Sequence, residues 1–335
     1  MNIAHRIAAA LLLVCGLMQP QSQFTVICAG GTFPDPIYQN WIISFETRIP
    51  GAPMMYRAVG SERAIQELKT RAVDFAASDY PPAGQVQDEL GVCLIPTLVG
   101  AAVPVYNIPN LSVNLRFTPD VLADIYLGKI TRWNDPRIAG LNRKASLPAQ
   151  MITVVHRSDG SGTSYVWTEF LSQASSHWKN AIGASPMPSW PVGQGAQGNE
   201  GIATFVSRTP FSVGYVEFIY ALRAHLEYGW VKNPAGAFVQ ATIDSITAAA
   251  STARPKDGGR ISIVNAPGRD AYPVASFTWF LVPLKIESEE KRQRLSEFLD
   301  WALTKGQREV AALGYVPLPQ AVAEQERTNL TKLWK

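Results

Sequence analysis

The chain has 335 residues, of which 47% are apolar and 17% charged, with a formal net charge of +3. That length fits about two domains of roughly 100–200 residues and excludes a disulfide-stapled miniprotein, while the composition is ordinary for a globular protein. So small a charge carries no electrostatic footprint for nucleic acid, although a whole-chain sum would not register one local anion site.

His5 and Arg6 precede an apolar run over residues 7–18 and a polar stretch over 19–23. That order of charge, apolar run and polar flank is the layout of a secretory signal peptide, and residues 1–23 are expected to be removed on export. The run is shorter than the about 20 residues a spanning helix needs; a buried N-terminal helix is the alternative. Cys15 within the run raises a lipid anchor as a further alternative, against which Val14 stands where a lipobox requires a small residue. No later segment is apolar and long enough to span a bilayer, so the mature protein is expected to be soluble.

Beyond the signal, short apolar segments at 24–29, 54–58 and 73–77 alternate with helical patterns at 36–48 and 63–71. Similar units recur at 152–155, with a helix after Gly162, and at 212–216, after a helix starting near Asn199. Strand and helix in alternation predict parallel sheets covered by helices, an α/β fold. A last amphipathic helix follows residue 286, with Leu295, Phe298, Leu299 and Ala302 at helical spacing. Residues 183–201 read as a long loop and 248–259 as an exposed segment of small and charged residues. Neither is a simple linker, so the chain is expected to leave its first domain and return to it, with two strands crossing between.

Cys28 and Cys93 are the cysteines left after export, an even pair in a compartment where disulfides persist. A Cys28–Cys93 disulfide is expected, with two buried free thiols as the alternative. The four histidines, at 5, 156, 177 and 225, form no metal-ligand spacing with these cysteines, and neither metal nor cofactor is expected.

Four segments place glycine and hydroxyl residues between an apparent strand and an apparent helix: residues 30–33, 60–61, 78–79 and 157–164. The first turn of a helix presents unpaired N–H groups and the positive end of the macrodipole, which together hold an oxyanion. Hydroxyls of Thr32, Ser61, Ser161 and Thr163 add donors, and Arg157 offers a planar fork suited to phosphate or carboxylate. The competing reading is that each segment is only a helix cap and turn. It is weakest for 157–164, where an arginine, two glycines and four hydroxyls crowd one junction. That run has no lysine in the spacing of a nucleotide-binding P-loop. Nor do His156, Asp159 and Ser161 make a hydrolase triad, because the nucleophile elbow is Gly-x-Ser-x-Gly with partners from distant points in the chain.

Five blocks carry a family likeness in order: Ala29-Gly30-Gly31-Thr32-Phe33-Pro34-Asp35-Pro36, Val73-Asp74-Phe75-Ala76-Ala77-Ser78-Asp79, the run from Asp124 to Asn134, Arg157-Ser158-Asp159-Gly160-Ser161-Gly162-Thr163-Ser164, and Gly198-Asn199-Glu200-Gly201-Ile202-Ala203. Over essentially the whole mature chain the sequence resembles the phosphate-binding proteins of Pst-type ABC transporters. The resemblance implies a two-lobed periplasmic-binding-protein fold with a hinge and an interdomain ligand cleft. The first lobe would be 24–99 plus 270–335 and the second 100–269. It further implies that Thr32, Phe33, Ser61, Asp79, Arg157, Ser161, Gly162 and Thr163 surround inorganic phosphate, Phe33 and Gly162 through backbone N–H, with Asp159 orienting Arg157. The implied partners are phosphate and the permease subunits of an ABC transporter; the implied protein is a periplasmic monomer, not an enzyme, that touches the membrane only through that transporter. One departure stands out: the family commonly has Gly-Ser-Ser-Gly-Gly where this chain has Gly60-Ser61-Glu62-Arg63-Ala64. Alternatives left open are another tetrahedral oxyanion, a phosphate-ester hydrolase, and a protein of this fold whose altered site serves adhesion or signalling.

Overall fold

The computed structural model describes residues 24–111, 113–254 and 260–334. The expected signal peptide with Cys15, and the end of the 248–259 segment, lie outside them. Among the described residues twelve strands are formed: β1 (Val26–Gly30), β2 (Met54–Ala58), β3 (Phe75–Ser78), β4 (Val92–Asn107), β5 (Arg116–Phe117), β6 (Thr153–Arg157), β7 (Gln194–Ala196), β8 (Ser212–Glu217), β9 (Glu227–Tyr228), β10 (Trp230–Lys232), β11 (Phe238–Val239) and β12 (Ala275–Pro283). Nine of them make one sheet in the order β2-β1-β3-β12-β4-β8-β6-β7, with β9 added to β4; β11, β10 and β5 form a separate small sheet.

β1 runs parallel to β2 and β3, and β6 runs parallel to β7 and β8, as the strand and helix alternation predicts. The centre departs from that expectation. β12 is antiparallel to both β3 and β4, and β4 is antiparallel to β8, so the sheet is mixed. β4 is the element that joins the two lobes: its residues up to Ala101 pair with β12, and those from Ala102 to Asn107 pair with β8. All but two of its residues are buried. A strand covered on both faces has no polar side to alternate with, which is why it reads as a continuous apolar run.

Helices cover the sheet through aromatic faces. In the helix Asp35–Arg48, with Pro36 in its first turn, the buried residues Ile37, Tyr38, Trp41, Ile42 and Phe45 recur at helical spacing. Tyr38 stacks on Trp41 at 5.5 Å and meets Tyr56 edge-on at 5.2 Å. Its hydroxyl bonds Thr97 at 2.5 Å and Thr278 at 2.9 Å, so β4 and β12 satisfy the polar end of an otherwise apolar ring. Each such fully buried side chain contributes about 1.5–3 kcal/mol of apolar transfer free energy.

Two expectations are corrected here. Cys28 and Cys93 are free thiols. Cys28 sits on β1 and Cys93 on β4, with β3 and β12 between them. Three interstrand steps of about 4.8 Å separate them by roughly 14 Å, twice the about 7 Å beyond which a disulfide cannot close. Burial raises both thiols above their usual range, Cys93 to about 12. The segment expected to be exposed from 248 begins as the end of the capped helix Ile243–Ala250, with Ala249 and Ala250 buried. No helix among the described residues is long and apolar enough to cross a membrane.

Candidate anion-binding site

The carboxyl ends of the parallel strands converge where β4 changes partners. β1 ends at Gly30 and turns through Gly31, Thr32 and Phe33 into the helix Asp35–Arg48; β2 leads through Gly60 into the helix Ser61–Lys69; β3 delivers Asp79. From the other lobe, β6 ends at Arg157 and turns through Ser161 into the helix Gly162–Ala174. Strand ends of this kind are where open α/β sheets hold ligands. Phe33, Ser61, Asp79, Arg157, Ser161, Gly162 and Thr163 are all buried, and Thr32 is half-buried.

Asp79 is 1% exposed. Ser61 Oγ lies 3.5 Å from its Oδ2, and its own amide donates to Ser61 Oγ at 3.4 Å. Its Oδ1 has no hydrogen-bond partner among the described residues. Burial pushes the carboxyl up to about 7, against the pull of the Arg157 charge and the Ser61 hydroxyl. Two glycines make room for it: a Cβ on Gly31, in the neighbouring turn, or on Gly162, in the facing helix, would fall 2.5 Å from Asp79 Oδ2. Any side chain at either position would displace the carboxylate.

Arg157 is held as expected by Asp159, whose carboxylate accepts from Nε at 2.7 Å and from Nη2 at 2.5 Å. Burial alone would raise the Asp159 carboxyl, but this two-point contact outweighs it and holds the group below the usual carboxylate range. Asp159 also accepts from the Gly198 amide at 3.2 Å. With one edge of the guanidinium fixed by Asp159, the Nη1 side remains, Nη1 lying 3.4 Å from Thr163 Oγ1.

Ser161 caps the helix Gly162–Ala174: its Oγ accepts from Ser164 N at 3.1 Å, which leaves its O–H to donate elsewhere. Its amide is spent on Pro186 O, but Gly162 and Thr163 are the first residues of that helix, whose amides have no partner within it. Behind the site, Ser164 Oγ and the Arg157 amide meet at Tyr215 OH, at 2.6 and 3.3 Å.

Reasoning from sequence missed one member. Asn199, fully buried in the first turn of the helix Gly198–Arg208, reaches Thr32 Oγ1 at 3.0 Å and Thr163 Oγ1 at 3.1 Å. Its signal was present in the block from Gly198 to Ala203, which carried the family likeness but no assigned role. Tyr220 also spans the lobes, donating to Thr32 O at 2.7 Å.

The segment that departs from the family pattern lies at the mouth. Glu62, Arg63 and Ala64 form the first turn of the helix Ser61–Lys69. Glu62 N donates across the cleft to Gly160 O at 3.3 Å, and its carboxylate accepts from Tyr80 OH. Tyr80 in turn stacks on Tyr165 of the other lobe at 4.5 Å. Arg63 turns outward to pair with Glu67. His156 stacks on Trp190 at 5.0 Å, its ring nitrogen on Arg157 O. Among the described residues no group of three or more His, Cys, Asp or Glu side chains could hold a metal ion.

Comparison with known proteins identifies the family. A model of the PBP superfamily domain matches residues 19–305. The phosphate-binding protein PstS of Pasteurella multocida is 39% identical over 319 residues, covering 94% of this chain and 92% of its own. PstS of Haemophilus influenzae is 35% identical over 327 residues, covering 97% and 96%. Among solved structures, a phosphate-binding protein from Stenotrophomonas maltophilia superposes with a TM-score of 0.73 at 19% identity, over 91% of this chain and 93% of its own. A putative phosphate ABC transporter substrate-binding protein from Clostridium perfringens, solved with bound phosphate, gives 0.65 at 19% identity, over 88% and 100%. With relatives this similar over nearly its whole length and the same two-lobed architecture, the chain belongs to the PstS family of phosphate-binding proteins.

Proposed function

We propose that this protein captures inorganic phosphate between its lobes and delivers it to the permease subunits of an ABC transporter, by binding and not by catalysis. The observation that carries the reading is a buried carboxylate, Asp79, set against Arg157 and a ring of N–H and O–H donors. Near neutral pH phosphate keeps a proton and sulfate keeps none. An ionised carboxylate only accepts hydrogen bonds. Facing phosphate, Asp79 takes the ligand's O–H; facing sulfate it meets two like charges with no proton between them. Sites built around such a buried partner reject an analogue lacking it while the carboxylate is ionised, and reject it less where the carboxyl takes up a proton.

Arg157, the amides of Phe33, Gly162 and Thr163, and the hydroxyls of Thr32, Ser61, Ser161 and Thr163 then balance the anion, whose burial beside Asp79 would otherwise be prohibitive. We divide the lobes as 24–99 plus 270–335 and 100–269. Ligand contacts from both lobes favour the closed state by their differential affinity, and closure is the signal the transporter reads. The N-terminal pattern supports export to the periplasm, where the protein acts as a monomer.

Calorimetric titration of the phosphate-stripped mature protein, first with phosphate and then with sulfate, tests this. Tight one-to-one phosphate binding without a sulfate response is expected. Failure to bind either anion would overturn the reading in favour of a family member whose fold serves adhesion or signalling.

A further inference from the structure

We infer that Asn199 is a positioning residue that fixes the Thr32 and Thr163 hydroxyls as donors toward the bound anion; this rests on the phosphate reading above. A hydroxyl has one proton and two lone pairs, and it serves an anion only if the proton points at it. The surroundings of both hydroxyls settle that direction. Asn199 Oδ1 accepts from Glu217 N at 2.9 Å, which fixes the amide so that Nδ2 faces the site. Its two protons are directed to Thr32 Oγ1, at 3.0 Å, and to Thr163 Oγ1, at 3.1 Å. Thr32 Oγ1 accepts a second bond from the Asn199 backbone N–H at 3.2 Å, and Thr163 Oγ1 a second from Arg157 Nη1 at 3.4 Å. Both lone pairs of each oxygen are therefore taken, and what each hydroxyl has left to offer is its proton. Thr32 follows β1 and Thr163 follows β6, so one buried amide orders donors on both lobes.

A residue that merely filled space or capped its helix would behave differently. Aspartate is nearly isosteric with asparagine and suits a helix N-terminus, so in a structural role Asn199→Asp would be the milder change and Asn199→Ala the harsher. If Asn199 sets hydroxyl direction the order reverses, because a carboxylate would draw both hydroxyl protons to itself and turn lone pairs toward the ligand. Phosphate titrations should show Kd raised about tenfold in Asn199→Ala and about a hundredfold in Asn199→Asp.

An added charge at 199 would also repel the anion, so the deciding arm is a double-mutant cycle. In a Thr32→Val/Thr163→Val background the loss caused by Asn199→Ala should shrink to within about twofold, since the groups through which it acts are gone. If Asn199→Ala does not fold, Asn199→Ser, too short to span both hydroxyls, takes its place in the cycle. Persistence of the full factor in the valine background, or an aspartate milder than the alanine, would overturn the inference and leave the phosphate reading intact. A wild-type protein that does not bind phosphate would overturn both.

Discussion

The turn after β3 brings a carboxylate to the cleft, whereas the turn after β6 brings a guanidinium, a helix N-terminus and capping hydroxyls. The second set suits any tetrahedral oxyanion, because donors and positive charge do not distinguish phosphate from sulfate. The first set would oppose every anion that arrives without a proton. In the proposed function the cation and the selecting carboxylate thus come from opposite lobes and face each other across Gly162, where the carboxylate is approached without an intervening side chain. The proposed selectivity then belongs to the lobe that brings the carboxylate, not to the one that brings the positive charge.

Among substitutions on the two lobes, the largest effect is expected at the acceptor. Asn in place of Asp79 can donate as well as accept, so above about pH 8, where the native carboxyl is ionised, Asp79→Asn should lower the phosphate-to-sulfate affinity ratio by the largest factor among these substitutions. Competition titrations with both anions measure it, and an unchanged ratio would remove Asp79 from the selectivity argument. Arg157→Ala should instead weaken all oxyanions together by about 10²–10³-fold, since it leaves the buried Asp79 and the half-buried Asp159 without their cation. A loss confined to one anion would contradict the division between lobes. Smaller again is the mouth: Glu62→Ala frees the Tyr80 hydroxyl and loosens the Tyr80 contact with Tyr165. Phosphate release, followed by stopped-flow fluorescence, should quicken about three- to fivefold; an unchanged rate would show that the contact does not hold the lobes closed.

Much of this arrangement was legible in the sequence, for a physical reason. The site is made of short strand-to-helix junctions, and what a helix N-terminus needs (glycine, Ser, Thr and a capping acceptor) is local and spelled out in consecutive residues. The pairing of Arg157 with Asp159 likewise lies within one turn. The strand pairing at the centre of the sheet was not legible. β4 carries Pro96, Gly100 and Pro104, residues that ordinarily break a strand. The sheet absorbs Pro96 beside a register shift opposite Thr278 and Trp279. β12 returns from more than 160 residues away to pair antiparallel with β3 and β4, a long-range pairing with no local signature. The Cys28–Cys93 disulfide failed for the same reason: an even cysteine count says nothing about which strands separate the two. Asn199 escaped because its partners, Thr32 and Thr163, lie 167 and 36 residues away.

The account rests most heavily on Asp79 reading a proton, and sulfate binding measured against pH tests that directly. Sulfate stays fully ionised between pH 5.5 and 8.5, so any change in its affinity reports the protein. With the carboxyl raised to about 7, Asp79 is protonated below that pH and donates; above it, it is ionised and only accepts. Sulfate should therefore compete measurably with phosphate at pH 5.5 and lose affinity about tenfold per unit as pH rises beyond 7, while in Asp79→Asn the dependence disappears. Sulfate affinity that is the same at pH 5.5 and 8.5 in the wild-type protein would contradict the account.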